Sequence, residues 1–254
     1  MPNISPQAII EEGAQLARGV RVGPFSYLGP QVRIGPDCTL ENNVTILGDT
    51  VLGEKNHVFP MAVLGTAPVG SGTVVSCRIG NANAIREHVT IYGGASSPTR
   101  IGTDNLLMID CTVGAGAVVG DHCIFANVTH IGAGTRMADC THTSGFAAIA
   151  DGVTVGAYTF IAGYAGVDRD APCFAILQGS PFRVRGVNTH KLRRCGFGDD
   201  DIRALKDAFR ELFNGQTEDP DPVGLERLRR QKELNPCVRR LLEALERRSG
   251  EGTC

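Results

Sequence analysis

The chain has no tryptophan and few aromatic residues of any kind, 6% of its 254 residues. Large rings normally dominate a sheet protein's core. The filling here must instead come from Val, Ile, Leu and small residues, which suits a narrow, regular interior. No long basic block appears and the formal net charge is −2. That leaves no electrostatic footprint for nucleic acid or an anionic membrane surface. Residues 1–5 lack a basic start leading into an apolar run, so no signal peptide is expected. No run of about 18 apolar residues exists, so no membrane span is expected. The nine Cys are odd in number and contain no C-x-x-C pair, which argues against a disulfide framework and against a zinc site. A reduced, cytoplasmic protein with no metal or other cofactor is the simplest expectation. Glycine is abundant, at 32 residues, but follows no Gly-X-Y period, so collagen is excluded.

What the chain does have is a period of six. Aliphatic residues recur as Ile10, Leu16, Val22 and so on to Leu64, then as Ile79, Ile85 and Ile91, then from Ile101 to Ile161. Thr143 is the one polar residue in phase. The next position is usually small, as at Gly23, Gly35, Gly53, Gly102, Gly114 and Gly120. Four residues after each aliphatic comes another small or β-branched residue, such as Val32, Cys38, Cys111, Cys123 or Thr141. Each hexad therefore predicts one short strand and one turn, and three hexads make a triangular coil. Coils stacked at the ordinary strand spacing of about 4.8 Å give a left-handed parallel β-helix. The phased positions predict about eight such coils. Glycine after the aliphatic is expected to supply backbone angles that other residues resist. Cys38, Cys111 and Cys123 are expected as core filler.

Two stretches break the phase, 66–78 and 92–100. Insertions in a solenoid tend to gather on one face, often the binding face. The solenoid is expected to end near Pro172. Past Phe197, residues Ile202, Leu205, Phe209 and Leu212 recur at helical spacing after an Asp-rich start that suits an N-cap. Further helices are expected around Leu225 and Leu228 and around Val238 to Leu245. The expected organisation is thus a β-helix over 1–197, with loops at 66–78 and 92–100, and a C-terminal α-helical domain over 198–254 that caps the open end.

The phased hexads, IREHVTIY (Ile85–Tyr92), DNLLMI (Asp104–Ile109) and QGSP followed by GVNTHKLRRCGF (Gln178–Phe197) resemble the UDP-N-acetylglucosamine O-acyltransferase family of lipid A biosynthesis. The hexads are shared by many acyltransferases; the GVN..KLRR.GF stretch is more specific. The resemblance implies a homotrimer with active sites between neighbouring prisms. It implies transfer of an acyl chain from acyl carrier protein, or another acyl thioester, to a hydroxyl of a nucleotide sugar, without metal. In the family a His serves as general base and a backbone N–H holds the oxyanion.

The family's catalytic signature is altered here. Its paired His positions fall on Thr112 and Ala115, and two further His positions fall on Gly134 and Ala150. Alanine cannot accept a proton. Residues eighteen apart share a column, so His130 lies one coil from Thr112 and Asp151 two coils from Ala115. His130 and Asp151 are therefore the candidate catalytic residues, against plainer readings as a surface or interface His and as an Asp-Gly turn. Asn188 and Arg194 match the family's nucleotide-contacting positions, and His190 stands where the family has Glu. Arg193 and Arg194 could hold a phosphate. Gln178, His88 and His142 are further candidates for substrate binding. Gly163 matches a small residue that limits acyl-chain depth in the family. Three readings stay open: an acyltransferase with altered catalytic residues, a non-catalytic acyl- or nucleotide-sugar-binding homologue, and a trimeric metal enzyme of the carbonic-anhydrase type.

Overall fold

The computed structural model describes residues 1–70, 74–213, 219–231 and 233–246. Most hexads form a strand of two residues. The first faces out and the second faces in, as at Arg33–Ile34, Leu106–Leu107 and His130–Ile131. The strands stack into three parallel sheets that form the faces of a left-handed prism. The first face starts at Asn3–Ile4 and passes through His57–Val58, His142–Thr143 and Phe160–Ile161. The second starts at Ile9–Ile10 and passes through Thr112–Val113 and His130–Ile131. The third starts at Gln15–Leu16 and passes through Arg33–Ile34 and Arg136–Met137. Every phased position from Val22 to Ile161 is buried, while Ile10 and Leu16, near the open first coil, are half-buried. Cys38, Cys111 and Cys123 are buried too. Burial pushes the Cys123 thiol up to about 12 and the Cys111 thiol up to about 11, so both behave as small apolar filler.

The prism is longer than the phased run. Asn3–Ile4 precedes it, and Gly166–Val167 and Ala175–Gln178 follow it. Ala175–Gln178 still pairs in parallel with Phe160–Ile161, so stacking passes Pro172 before the chain returns antiparallel as Arg183–Val187.

The reason for the glycines differs from the sequence expectation. A Cβ on Gly35 would stand 2.5 Å from the Gly53 carbonyl oxygen, and one on Gly114 would stand 2.4 Å from the Ala133 nitrogen. Neither glycine has positive φ; the next coil simply passes too close for a side chain. The left-handed residue comes two places later and is often not glycine, as at Asn43 (φ 57°), His88 (φ 61°) and Tyr164 (φ 58°).

Polar groups inside the prism are hydrogen-bonded in ladders. Asn56 Oδ1 accepts from the Asn83 N–H at 3.0 Å, and Asn83 Oδ1 accepts from the Asn105 N–H at 2.9 Å. Thr143, the phased polar residue, accepts the Ala126 N–H through Oγ1 at 3.1 Å and lies 2.7 Å from Thr129 Oγ1. A buried hydroxyl so partnered avoids most of the penalty of desolvation.

Strands reach into both breaks in the phase: Val63–Thr66 and Ser76–Ile79 at the first, Thr90–Tyr92 and Thr99–Ile101 at the second. The two insertions hydrogen-bond to each other, Gly93 N–H to Thr66 O at 2.9 Å and Ser76 N–H to Gly94 O at 2.9 Å. Among the described residues four helices follow: α1 (Thr189–Arg194), α2 (Asp199–Leu212), α3 (Pro222–Arg229) and α4 (Pro236–Glu246). In α2 the apolar positions Ile202, Leu205, Phe209 and Leu212 are buried. Its acidic start does not cap it by side chain. Gly198 is the N-cap, and Asp199, Asp200 and Asp201 sit in the first turn, where carboxylates favour the helix dipole. No described helix is long and apolar enough to cross a membrane.

Candidate functional site

The corner that follows the second face carries the positions where the resemblance expects histidine. Thr112 and His130 are register partners, as are His130 and Ala148, so the column inferred from the sequence is present. His130 is exposed on the second face. The corner itself holds Ala115, Gly116, Ala133, Gly134, Ala150, Asp151 and Gly152. It is roomy: a Cβ on Gly152 would meet nothing within 4 Å, and one on Gly134 would meet only the Gly152 Cα at 4.0 Å. Crowding therefore does not account for the small residues here. Asp151 points its Oδ1 at the Ala133 N–H at 2.8 Å. Asp121, Asp139 and Asp170 make the same kind of bond to backbone N–H groups of the coil beneath. The second insertion leans on this corner, with Thr99 Oγ1 accepting the Gly116 N–H at 2.8 Å.

A second cluster forms where α1 meets the first face. Asn188 is buried and its side-chain amide makes two hydrogen bonds within the fold. Its Oδ1 caps α1 by accepting the Lys191 N–H at 3.3 Å, and its Nδ2 donates to Tyr158 O at 2.9 Å. His142, on the first face, is half-buried and edge-on to Phe160, with ring centroids 5.4 Å apart. Burial, then the charges of Lys191 and Arg194, hold its imidazole below the ordinary histidine range. Lys191 and Arg194 on α1 thus act electrostatically on His142. His190 and Arg193 are exposed on α1, and Arg193 lies 3.7 Å from Asp199. Lys191 is a residue that the sequence reading misses, although it opens the KLRR segment.

The remaining candidates lie apart. Gln178 is exposed at the end of its strand, opposite Arg183. His88 occupies a left-handed turn position 3.8 Å from Asp110. Gly163 sits at the corner after the first face, where an added Cβ would stand 3.3 Å from Gly145 O. Beside it Phe146 and Tyr164 stack in parallel, centroids 5.1 Å apart, and both are exposed. That aromatic ridge has no signature in the six-residue pattern, since it occupies turn positions. Among the described residues, no three His, Cys, Asp or Glu side chains gather as a metal site would.

Comparison with known proteins gives the frame a name. Residues 170–254 match the family model for domain 2 of UDP-N-acetylglucosamine O-acyltransferase, and residues 13–48 match the bacterial transferase hexapeptide model. The chain is similar to the solved UDP-N-acetylglucosamine O-acyltransferase of Moraxella catarrhalis, at 27% identity over 96% of each chain and a TM-score of 0.89. It is similar to the UDP-N-acetylglucosamine acyltransferase of Campylobacter jejuni, at 28% identity over 95% of each chain and a TM-score of 0.84. A further UDP-N-acetylglucosamine acyltransferase structure is 30% identical over 95% of this chain and 94% of that one, with a TM-score of 0.73.

Proposed function

The chain belongs to the UDP-N-acetylglucosamine O-acyltransferase family, and from that premise we propose that it moves an acyl chain from a thioester to a hydroxyl of a nucleotide sugar. Acyl carrier protein is the expected donor, and a homotrimer is the expected working form. The observation that carries this reading is the α1 flank, where the charges of Lys191 and Arg194 act on a half-buried His142. Two cations and a neutral imidazole N–H suit a diphosphate: the cations supply charge and the imidazole a donor. The exposed Phe146–Tyr164 ridge supports burial against a second copy, since the two rings, though stacked on each other, stay open to solvent at the turn tips.

The chemistry requires a base. The sugar hydroxyl gives up its proton as its oxygen attacks the thioester carbonyl, a tetrahedral oxyanion forms, and the thiolate leaves and takes a proton. We assign the base to His130, which stands one coil from Thr112 on the second face. Asp151 serves the turn, because its Oδ1 is spent on Ala133 N–H.

The test is direct. The purified protein is incubated with a panel of acyl-carrier-protein thioesters and UDP-sugars, and products are followed by mass spectrometry. Acylated UDP-sugar, made by the wild type and by His57→Ala but not by His130→Ala, is the expected result. His57 is a fair control because its ring is held by Glu41 at 2.7 Å and stacked on Phe59. UDP-sugar binding without turnover for any donor would overturn the enzymatic reading in favour of a binding homologue.

A further inference from the structure

The returning strand Arg183–Val187 lays two of its cations against α2. Its side chains alternate, so Val184 and Val187 are buried while Arg183 and Arg185 stay exposed. On α2, Lys206 and Arg210 lie one turn apart, share a face and are exposed. Arg183, Arg185, Lys206 and Arg210 line one cleft of about 330 Å³ between the strand and the helix. Phe209 and Phe213 give the cleft an apolar side; both are buried, with ring centroids 5.3 Å apart. Gly186 leaves the strand side open, since a Cβ there would meet nothing within 4 Å. Asp207 pairs with Arg210 at 2.6 Å. Among the described residues, Arg183, Arg185 and Lys206 have no carboxylate partner. The four cations come from two separate segments, so no basic run marks them in the sequence.

We propose that this cleft binds a phosphate-dense anion, one that carries several negative charges on linked or neighbouring phosphates. Cations gathered in one cleft repel each other, and the single carboxylate of Asp207 offsets only one of the four. A multiply charged anion relieves that repulsion and gains charge-assisted hydrogen bonds at the same time. The planar forks of the arginines match phosphate oxygens two at a time, and Lys206 adds a compact charge. A lone carboxylate would leave most of the cleft's charge unanswered. The cleft is larger than one phosphate group, so it admits linked phosphates or phosphate on an organic body. Two sources carry that chemistry: a soluble polyphosphate compound and the headgroups of an anionic lipid surface. Neither Lys191 nor Arg194 lines the cleft, so it is distinct from the flank assigned above to the nucleotide sugar. Binding here does not depend on that assignment.

The experiment reads binding itself. Full-length protein is titrated with sodium tripolyphosphate by calorimetry at physiological ionic strength. In parallel it is sedimented with phosphatidylglycerol vesicles and with neutral phosphatidylcholine vesicles. Tripolyphosphate is expected to bind, and Arg183→Ala/Lys206→Ala is expected to weaken it roughly 100-fold or more. Arg100→Ala/Arg136→Ala takes the same charge from exposed positions on the third face and is expected to bind as the wild type does. Denaturant unfolding confirms that both variants fold. Bound tripolyphosphate is expected to slow amide exchange across 183–187. Sedimentation with phosphatidylglycerol alone, lost in Arg183→Ala/Lys206→Ala, would support the same chemistry with lipid headgroups as its source. Binding to neither probe would overturn the proposal, as would equal weakening in the two double variants or unchanged exchange across 183–187. Displacement of tripolyphosphate by UDP-N-acetylglucosamine would overturn a separate site and return the cleft to the nucleotide sugar.

Discussion

Two regions of the prism have been treated in opposite ways. The corner after the second face holds Ala115, Gly116, Ala133, Gly134, Ala150 and Gly152, with open space beside Gly134 and Gly152, and its one carboxylate, Asp151, accepts the Ala133 N–H. The flank under α1 carries a half-buried His142 under the electrostatic influence of Lys191 and Arg194. The corner follows the second face and the flank lies on the first, and positive φ at Gly116, Gly134 and Gly152 favours glycine at the corner. On the function proposed above, recognition and proton transfer fall to different faces of the prism, so each can be altered without the other.

The comparison breaks most sharply at His130. If the emptied corner still takes its proton from His130, His130→Ala lowers turnover about 10²- to 10⁴-fold. Single-turnover mass spectrometry measures it, and binding of UDP-N-acetylglucosamine stays unchanged. Equal turnover in the variant would put the base elsewhere and leave this corner without chemistry. The opposite signature is expected at the flank. Arg194→Ala weakens binding of UDP-N-acetylglucosamine roughly 10- to 100-fold, the range for losing a charge-assisted contact to phosphate. Isothermal titration checks it. Wild-type affinity in that variant would remove the flank from the binding reading.

The sequence made the frame legible because a prism repeats one local rule. Each inward aliphatic from Val22 to Ile161 could be named without knowing what it touches. The site was less legible, because its partners are set by stacking and by a returning helix. The Thr112–His130 column followed from counting eighteen, and so did Asp151. That Asp151 is tied to Ala133 N–H did not, because a capping bond depends on side-chain direction at a turn. Asn188 is a sharper case. The motif marked it as a nucleotide contact, yet its amide caps α1 and holds Tyr158, a role that appears only when Tyr158 is placed beside it.

Asn188 also sharpens the comparison, because it separates holding the flank together from binding through it. Asn188→Ala removes a helix cap and a buried hydrogen bond at once, and is expected to cost about 1–2 kcal/mol of stability. Denaturant unfolding measures that cost. Binding of UDP-N-acetylglucosamine should weaken only as far as α1 loosens, which amide exchange across 189–194 reports. Full stability with lost binding would instead return Asn188 to direct contact with the ligand.

The smallest effect expected is at His142, and it tests whether the flank is waiting for an anion. Burial, with Lys191 and Arg194, holds the folded-state pKa of His142 below the ordinary value of 6.5. Below 6.5 the unfolded chain therefore binds more protons at this residue than the native state does. Its contribution is fully present above that value and is lost as pH falls through the lowered native pKa. His142→Gln should flatten this part of the stability profile, read as the difference between variant and wild-type unfolding across that window, so that other titrating groups cancel. Bound diphosphate places negative charge beside the same ring and must raise its pKa. UDP-N-acetylglucosamine should then bind with uptake of protons near pH 6.5, visible as a buffer-dependent heat that His142→Gln loses. Heat independent of buffer would place the diphosphate away from His142, and the flank would have to recognise something other than phosphate.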